Sequence, residues 1–274
     1  MKRSLLLGTL LISANLFAQE LPLKKGQKVE IVVTSNQDMD MSSMGMQMQN
    51  KTVTQTKVEI KDFIKDSIVS AVTITRMQIS LDMMGQQVSF DSDKPEDKDS
   101  DMGKEVSDKI GKEILVYSNK TNGKGRADKV AEVEAADKNP LASMMKPGNV
   151  LDESGTIESL FFLAAKGKKE GDTWTDTSSV NGNKETKTYS IKSIKDGITI
   201  IGLFTTIQTS TVTEAEGMQM DINMNVKTEG EFSIDSKSFM MKKSTSVSDI
   251  DGTIGVMGQS MPMSSKVTTS VEYK

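Results

Sequence analysis

The sequence predicts a mainly β protein with a minor helical part. The expected architecture is a large curved antiparallel sheet, an open or half barrel, packed on a central helix. Three observations carry this. Between Met218 and Ile234, Met218, Met220, Ile222, Met224, Val226, Phe232 and Ile234 fall on even positions, and Gln219, Asp221, Asn223, Asn225, Lys227, Glu229 and Glu231 on odd ones. A period of two over so long a run means one dry and one wet face, as in an antiparallel sheet covered on one side. Shorter alternations recur at Val29–Val33, Val58–Ile60, Ile68–Ile79 and Met261–Tyr273, rich in Thr and Ser and nearly free of Pro. Convincing helical patterning is confined to the middle of the chain.

Taken in order, the first 18 residues read as a secretory signal peptide. Lys2 and Arg3 give a basic start, Leu5–Ile12 an apolar core, and Ala18 a small residue before Gln19, where cleavage is expected. Leu16 departs from the small residue usual at that place. No later run is long enough to span a bilayer as a helix. The expectation is an exported protein, periplasmic or secreted, soluble once the peptide is removed. The remaining 256 residues are expected to form a β-rich domain over 19–274, although two smaller domains would also fit the length.

The first half holds the densest methionine cluster: Met39, Met41, Met44, Met46 and Met48. With Ser42-Ser43 as a two-residue hairpin tip, Met41 would oppose Met44 and Met39 would oppose Met46, on the face that carries Val29, Ile31 and Val33. Ser-Ser is a poor turn pair, which leaves that register open by a residue or two. Asp91–Asp101 reads as a polar, solvated loop; its carboxylates are interrupted by Lys94, Pro95 and Lys98, and the glycine of a calcium loop is absent. Met102, Val106 and Ile110 suggest a short helix, and residues 126–138 fit helix or strand. Asn139-Pro140 offers an N-cap and first-turn proline for a short element ending at Pro147. Thr156–Ala165 follows as the central helix, with Ile157, Leu160, Phe161 and Ala164 on one face and Lys166-Gly167 at its end.

The second half echoes the first. Asp66-Ser-Ile68 and Asp196-Gly-Ile198 lie 130 positions apart, and Thr75, Gln78 and Ser80 match Thr205, Gln208 and Ser210 in the same register. Gly45-Met-Gln-Met48 is echoed by Gly217-Met-Gln-Met220, with Met224 beyond, and a third group comprises Met257, Met261 and Met263. A duplication is the preferred explanation, with pseudo-repeats over about 24–92 and 169–236 and a helical connection over about 139–167. Convergent low-complexity β sequence is the alternative. Asp249-Ile-Asp-Gly252 reads as a hairpin turn, as do Asn122-Gly123 and Asn181-Gly182.

Composition excludes many functions. The chain has no His and no Cys, so Ser-His-Asp and Cys-His systems, disulfides, N/S zinc sites and Cys-ligated clusters are all ruled out. No cofactor is called for and no catalytic residue stands out. Arg76, isolated in a strand, is expected to ion-pair or face solvent, and Trp174 to anchor packing. Net charge is −4, and −6 without Lys2 and Arg3 (32 basic against 38 acidic residues), which argues against nucleic acid and against anionic lipid held by charge.

The methionines support three readings, the plainest being that they pack the core in place of Ile or Val. Thioethers favour Cu(I) or Ag(I), with Met39, Met41, Met44, Met46 and Met48 as ligands. Alternatively, methionines in phase with the core form an adaptable apolar surface, with Met39, Met41, Met44, Met46, Met48, Met218, Met220, Met224 and Phe161 meeting an apolar ligand. The signal peptide, the Leu21-Pro-Leu-Lys-Lys-Gly26 opening, the Met/Gln hairpin and the later Lys169-Glu-Gly-Asp-Thr-Trp174 restart together resemble an uncharacterised family of exported bacterial β proteins, over nearly the whole mature chain. That resemblance implies no functional residues. In shape alone the expected fold is similar to the periplasmic lipoprotein-carrier half-barrels, and fold does not fix function. The leading expectation is a non-enzymatic carrier for a lipid or acyl chain, its partner an apolar small molecule. The alternatives are a Cu(I)/Ag(I)-binding protein and a ligand-free interaction protein of the cell envelope.

Overall fold

The computed structural model describes residues 20–41, 45–126, 156–180, 183–215, 218–256 and 259–274. The expected signal peptide, the Asn139–Pro147 element, Asn181-Gly182, Met44 and Met257 lie outside them. Twelve strands form one sheet: β1 (Lys28–Met41), β2 (Met46–Ile64), β3 (Ser67–Met83), β4 (Gln86–Asp91), β5 (Glu113–Asn119), β6 (Gly125–Arg126), β7 (Thr173–Val180), β8 (Asn183–Lys195), β9 (Ile198–Ala215), β10 (Met218–Asp235), β11 (Met241–Val256) and β12 (Gln259–Tyr273). Eleven run in the order β6-β5-β3-β2-β1-β12-β11-β10-β9-β8-β7, and β4 pairs with β3 beside β5. Every strand pair is antiparallel. The sheet is thus a pair of meanders joined where the first strand meets the last, Ile31 opposite Tyr273. β6 and β7 stand at its two edges, so it is open among the described residues.

Opposed residues share a face, so the registers trace each face across the sheet. The dry face takes Val29, Ile31 and Met39 from β1, Met48, Thr54 and Val58 from β2, Ile222 and Phe232 from β10, and Ile254 from β11; all are buried. The wet face takes Asp38, Asp40, Gln47, Gln49, Asp249 and Asp251. Irregularities at Gln55/Thr56, Ile60/Asp62, Ile191/Ser193 and Ser233/Ile234 let long strands bend without exchanging the faces.

Two apolar clusters fill one end of the dry face. Leu21, Leu23, Val29, Ile31, Val58, Ile60, Ile68, Ile157, Leu160 and Phe161 make the first. Tyr189, Ile191, Ile201, Phe232 and Ile234 make the second, with Phe162 edge-on to Phe232 at 4.7 Å and Trp174 stacked on Tyr189 at 5.3 Å. Burial, with Asp176 and Glu185 adding to it, pushes the Tyr189 phenol up to about 12.

The expected central helix is corrected here. Only Thr156–Ser159 is helical (α2), and Leu163–Ala165 forms a separate 3-10 turn. Between them the backbone is drawn to β11: Met241 N–H donates to the Leu160 carbonyl at 2.8 Å, and Phe162 N–H to the Phe239 carbonyl at 2.9 Å. Ile157, Leu160 and Phe161 are buried as expected, but Ala164 is exposed and Ala165 takes the interior position. The polar loop is also more ordered than expected. Pro95–Asp99 is a 3-10 turn and Asp101–Val106 a helix (α1), capped by the Ser100 hydroxyl accepting from Gly103 N–H at 3.0 Å. Met102, Val106 and Ile110 pack on Ile74, Met77, Ile79 and Phe90. Asp249-Ile-Asp-Gly252 is not a turn: it lies within β11, its two carboxylates on the wet face and Ile250 between them on the other.

Candidate functional site: the methionine end of the sheet

The hairpins β1–β2, β3–β4, β9–β10 and β11–β12 all turn at the same end of the sheet. Their tip segments, Ser35–Asn50, Met77–Ser89, Thr209–Asn225 and Asp249–Ser265, hold 14 of the 20 methionines, eight acidic residues and no Lys or Arg. Lys51, Lys227 and Lys266 mark the inner boundary of this region. The turns at the far end carry Lys65, Lys195 and Lys237 instead. The molecule is therefore polarised along its strands, with most methionines and an excess of carboxylates at one end and, at the other, lysines beside Asp66, Asp196 and Asp235.

On the dry face the methionines lie in register. Met39 pairs with Met48, Met48 with Met83, and Met41 with Met46. The expected pairing of Met41 with Met44 is corrected by two positions, because the loop between β1 and β2 is four residues long. A slip of two keeps every side chain on its face, whereas a slip of one would have turned the methionines to the wet side. Met39, Met48, Met263 and Ile254 form one buried cluster, with Met41 and Leu81 packed against it. Met220 is buried, and Met46 and Met224 are half-buried. Met218 opens β10 opposite Ala215. Gly252 makes room for Met224: a Cβ there would collide with the Asn223 carbonyl oxygen and stand 3.0 Å from the Met224 side chain. Phe161 is not at this end; it bridges to Met240 at the far one.

Burying methionine costs about 1.5–2 kcal/mol of side-chain entropy, against about 0.5–1 for Ile or Leu. The same strands use Val29, Ile31, Val58 and Ile60 at the far end, so the change to methionine gives up ordering that branched residues would have supplied. Between the two ends runs a polar band on the dry face, with Ser35, Asn50, Thr52, Thr54 and Ser265 all buried. The Ser265 hydroxyl donates to the Asp38 carbonyl at 3.0 Å and accepts from the Gln37 amide at 3.3 Å.

The dry face reaches solvent at the β3–β4 tip. Met83 and Val88 are 39% and 47% exposed there, continuing from half-buried Leu81, and Met84 in the turn beyond them is 69% exposed. Met84 adopts φ 55° and Gly85 φ 82°, the left-handed pair of a tight two-residue turn. This lip was missed in the sequence; its signal is the Met84-Gly85 turn pair inside an alternating run. Behind the methionines, on the wet face, a groove of about 1000 Å³ is lined by Asp38, Asp40, Asp82, Asp249 and Asp251, with Lys227 and Lys266. A second groove of about 580 Å³ on the same face is lined by Lys192, Phe204, Glu229, Glu231 and Val247 among others. Arg76 is spoken for: it pairs with Asp91 at 3.3 Å and Asp93 at 2.8 Å. A 2.7 Å hydrogen bond from the Gln78 amide, with further donors including Asp93 N–H and Arg76, holds the Asp91 carboxyl below its usual value.

Among the described residues no group of three or more His, Cys, Asp or Glu could hold a metal ion, and no helix is long and apolar enough to cross a membrane. Residues 149–241 match a family of unknown function, DUF6263. The matched stretch holds the Lys169–Trp174 restart and strands β7 to β10, narrower than the coverage expected. No curated protein matches the chain. A lipovitellin structure described by its lipid–protein interactions is similar at a TM-score of 0.48 and 9% identity over 92% of this chain; the chain spans 25% of that one. A mutant porin of Rh. blastica (TM-score 0.21, 7% identity, 90% of this chain and 99% of that one) and an outer membrane channel from Pseudomonas putida F1 (0.20, 6%, 93% and 98%) are more distant. Scores this low do not inform the function.

Proposed function

We propose that this is a non-enzymatic, exported binding protein for an apolar ligand of the lipid or acyl-chain type, taken up at the methionine end of the dry face. The observation that carries the reading is the β3–β4 lip, where Met83 and Val88 extend the packed face into solvent and exposed Met84 caps the turn. A ligand laid against them would gain about 25 cal/mol per Å² of apolar surface removed from water. The partly buried Met41, Met46 and Met224 adjoin the packed interior, and flexible thioethers can reshape around an irregular chain. Buried Met39, Met48 and Met220 form the floor in this reading. The tips carry more carboxylates than lysines, which disfavours a free fatty acid, so a neutral or zwitterionic lipid is the ligand class.

Native mass spectrometry of the protein purified from its own cell envelope tests this. Expected is a bound neutral or zwitterionic lipid that is lost when Met83→Gln and Met84→Gln are combined. A purely apo mass, or equal occupancy in the double variant, would overturn it.

A further inference from the structure

We propose that the thioethers of Met39, Met48 and Met263 form a site for one soft monovalent cation, Cu(I) or Ag(I), with Met41 at its rim. This goes beyond the apolar-ligand reading, in which Met39 and Met48 are only the apolar floor beneath the exposed lip and Met263 has no part. The three sulfurs come from β1, β2 and β12, adjacent strands about 4.8 Å apart, on one face. All three side chains are buried and pack in one cluster, at 6%, 5% and 6% exposure. Met39 and Met48 are directly opposed, and Met263 lies two positions along β12 from Ser265, the partner of Met39. That diagonal is within reach of long side chains.

Two further observations point to a cation. Even with Lys184, Lys227 and Lys266 at their border, the eight carboxylates of the tip segments leave a net negative charge, which raises the local concentration of cations and repels anions. The donor set is thioether alone, since the chain contains no imidazole or thiolate; such a set selects Cu(I) and Ag(I) over Cu(II) or zinc. Neutral sulfur ligands need no deprotonation, so binding exchanges no proton with the site.

The test is an anaerobic titration of the protein with Cu(I) against bicinchoninate, paired with an Ag(I) titration followed on carbon-13-labelled methionine methyl signals. Expected are one Cu(I) per chain and joint shifts of the Met39, Met48 and Met263 methyls. Affinity should fall at least tenfold in Met48→Leu and in Met263→Leu, and stay unchanged in Met102→Leu, which lies under α1. Leucine nearly conserves volume, and circular dichroism checks the fold. Failure to compete for Cu(I), Ag(I) shifts centred on exposed Met84, or wild-type affinity in a folded Met48→Leu would each overturn the proposal. The Ag(I) measurement needs no variant, and a negative lipid result leaves it untouched.

Discussion

Asp235 holds the turn between β10 and β11 through one carboxylate oxygen. It accepts from Ser238 N–H at 2.7 Å, the Ser238 hydroxyl at 2.8 Å and Lys237 N–H at 3.1 Å. These bonds steady Phe239 at φ 59°, a left-handed conformation that L-residues avoid, and its ring packs into the aromatic cluster. Asp235→Ala is expected to cost about 1–2 kcal/mol, read from urea midpoints at neutral pH. Hydrogen bonds from Ser238, ahead of those from Lys237 and the nearby Lys242 charge, hold the carboxyl below 3.8. A depressed carboxyl stabilises the fold above its unfolded-state value and loses that contribution as pH falls through the folded one. The difference between wild type and variant should therefore shrink below about pH 4; a difference that grows there would contradict the role given to Asp235. The shared face of Met39, Met41, Met46 and Met48, and that of Met220 and Met224, was legible at this scale, because alternation states which side chains share a side. The partners of Arg76 were not, since Asp91 and Asp93 reach it only through the β3–β4 pairing and the turn after it.

At the scale of elements, strands were read well and the helix poorly, for one physical reason. A strand's period of two is written into its own residues, and β10 shows it over its whole length. Thr156–Ala165 carries apolar residues at helical spacing, but its middle meets the start of β11 and the turn before it, where the Met241 N–H and the Phe239 carbonyl compete for the backbone of Leu160 and Phe162. A short helix has little cooperative stability with which to resist. What survives is the packing: Leu160 is fully buried among Ile157, Ile31 and Val58. Leu160→Ala should lower stability by about 2–5 kcal/mol in equilibrium denaturation. A loss under about 0.5 kcal/mol, the usual surface range, would mean that this segment does not brace the sheet. The hairpin register shows the same division. Face was fixed by periodicity, whereas pairing depended on a loop length that Ser42-Ser43 does not specify.

The whole molecule is a single sheet with chemically different ends. One end is closed by branched aliphatic and aromatic side chains, α2 and the Leu21–Leu23 segment; the other is methionine-lined and acidic. This polarity was present in the sequence as gaps between lysines, but it had no spatial meaning until the meander order brought four hairpin tips together. The β3–β4 lip stayed out of view for the same reason: the Met84-Gly85 pair marks a turn but does not say which tips stand beside it. The pseudo-repeat offers a proposal for how such a sheet arose, by doubling a meander and sealing it between β1 and β12. The central claim is that an apolar ligand enters at the methionine end. Methionine-methyl spectra recorded during titration with a short-chain phosphatidylcholine address it most directly. The account predicts saturable shifts of Met41, Met46, Met83 and Met84 while Met102 and Met240 stay still. Shifts confined to Met240 and Met241 at the far end, or no saturable shift at all, would contradict it.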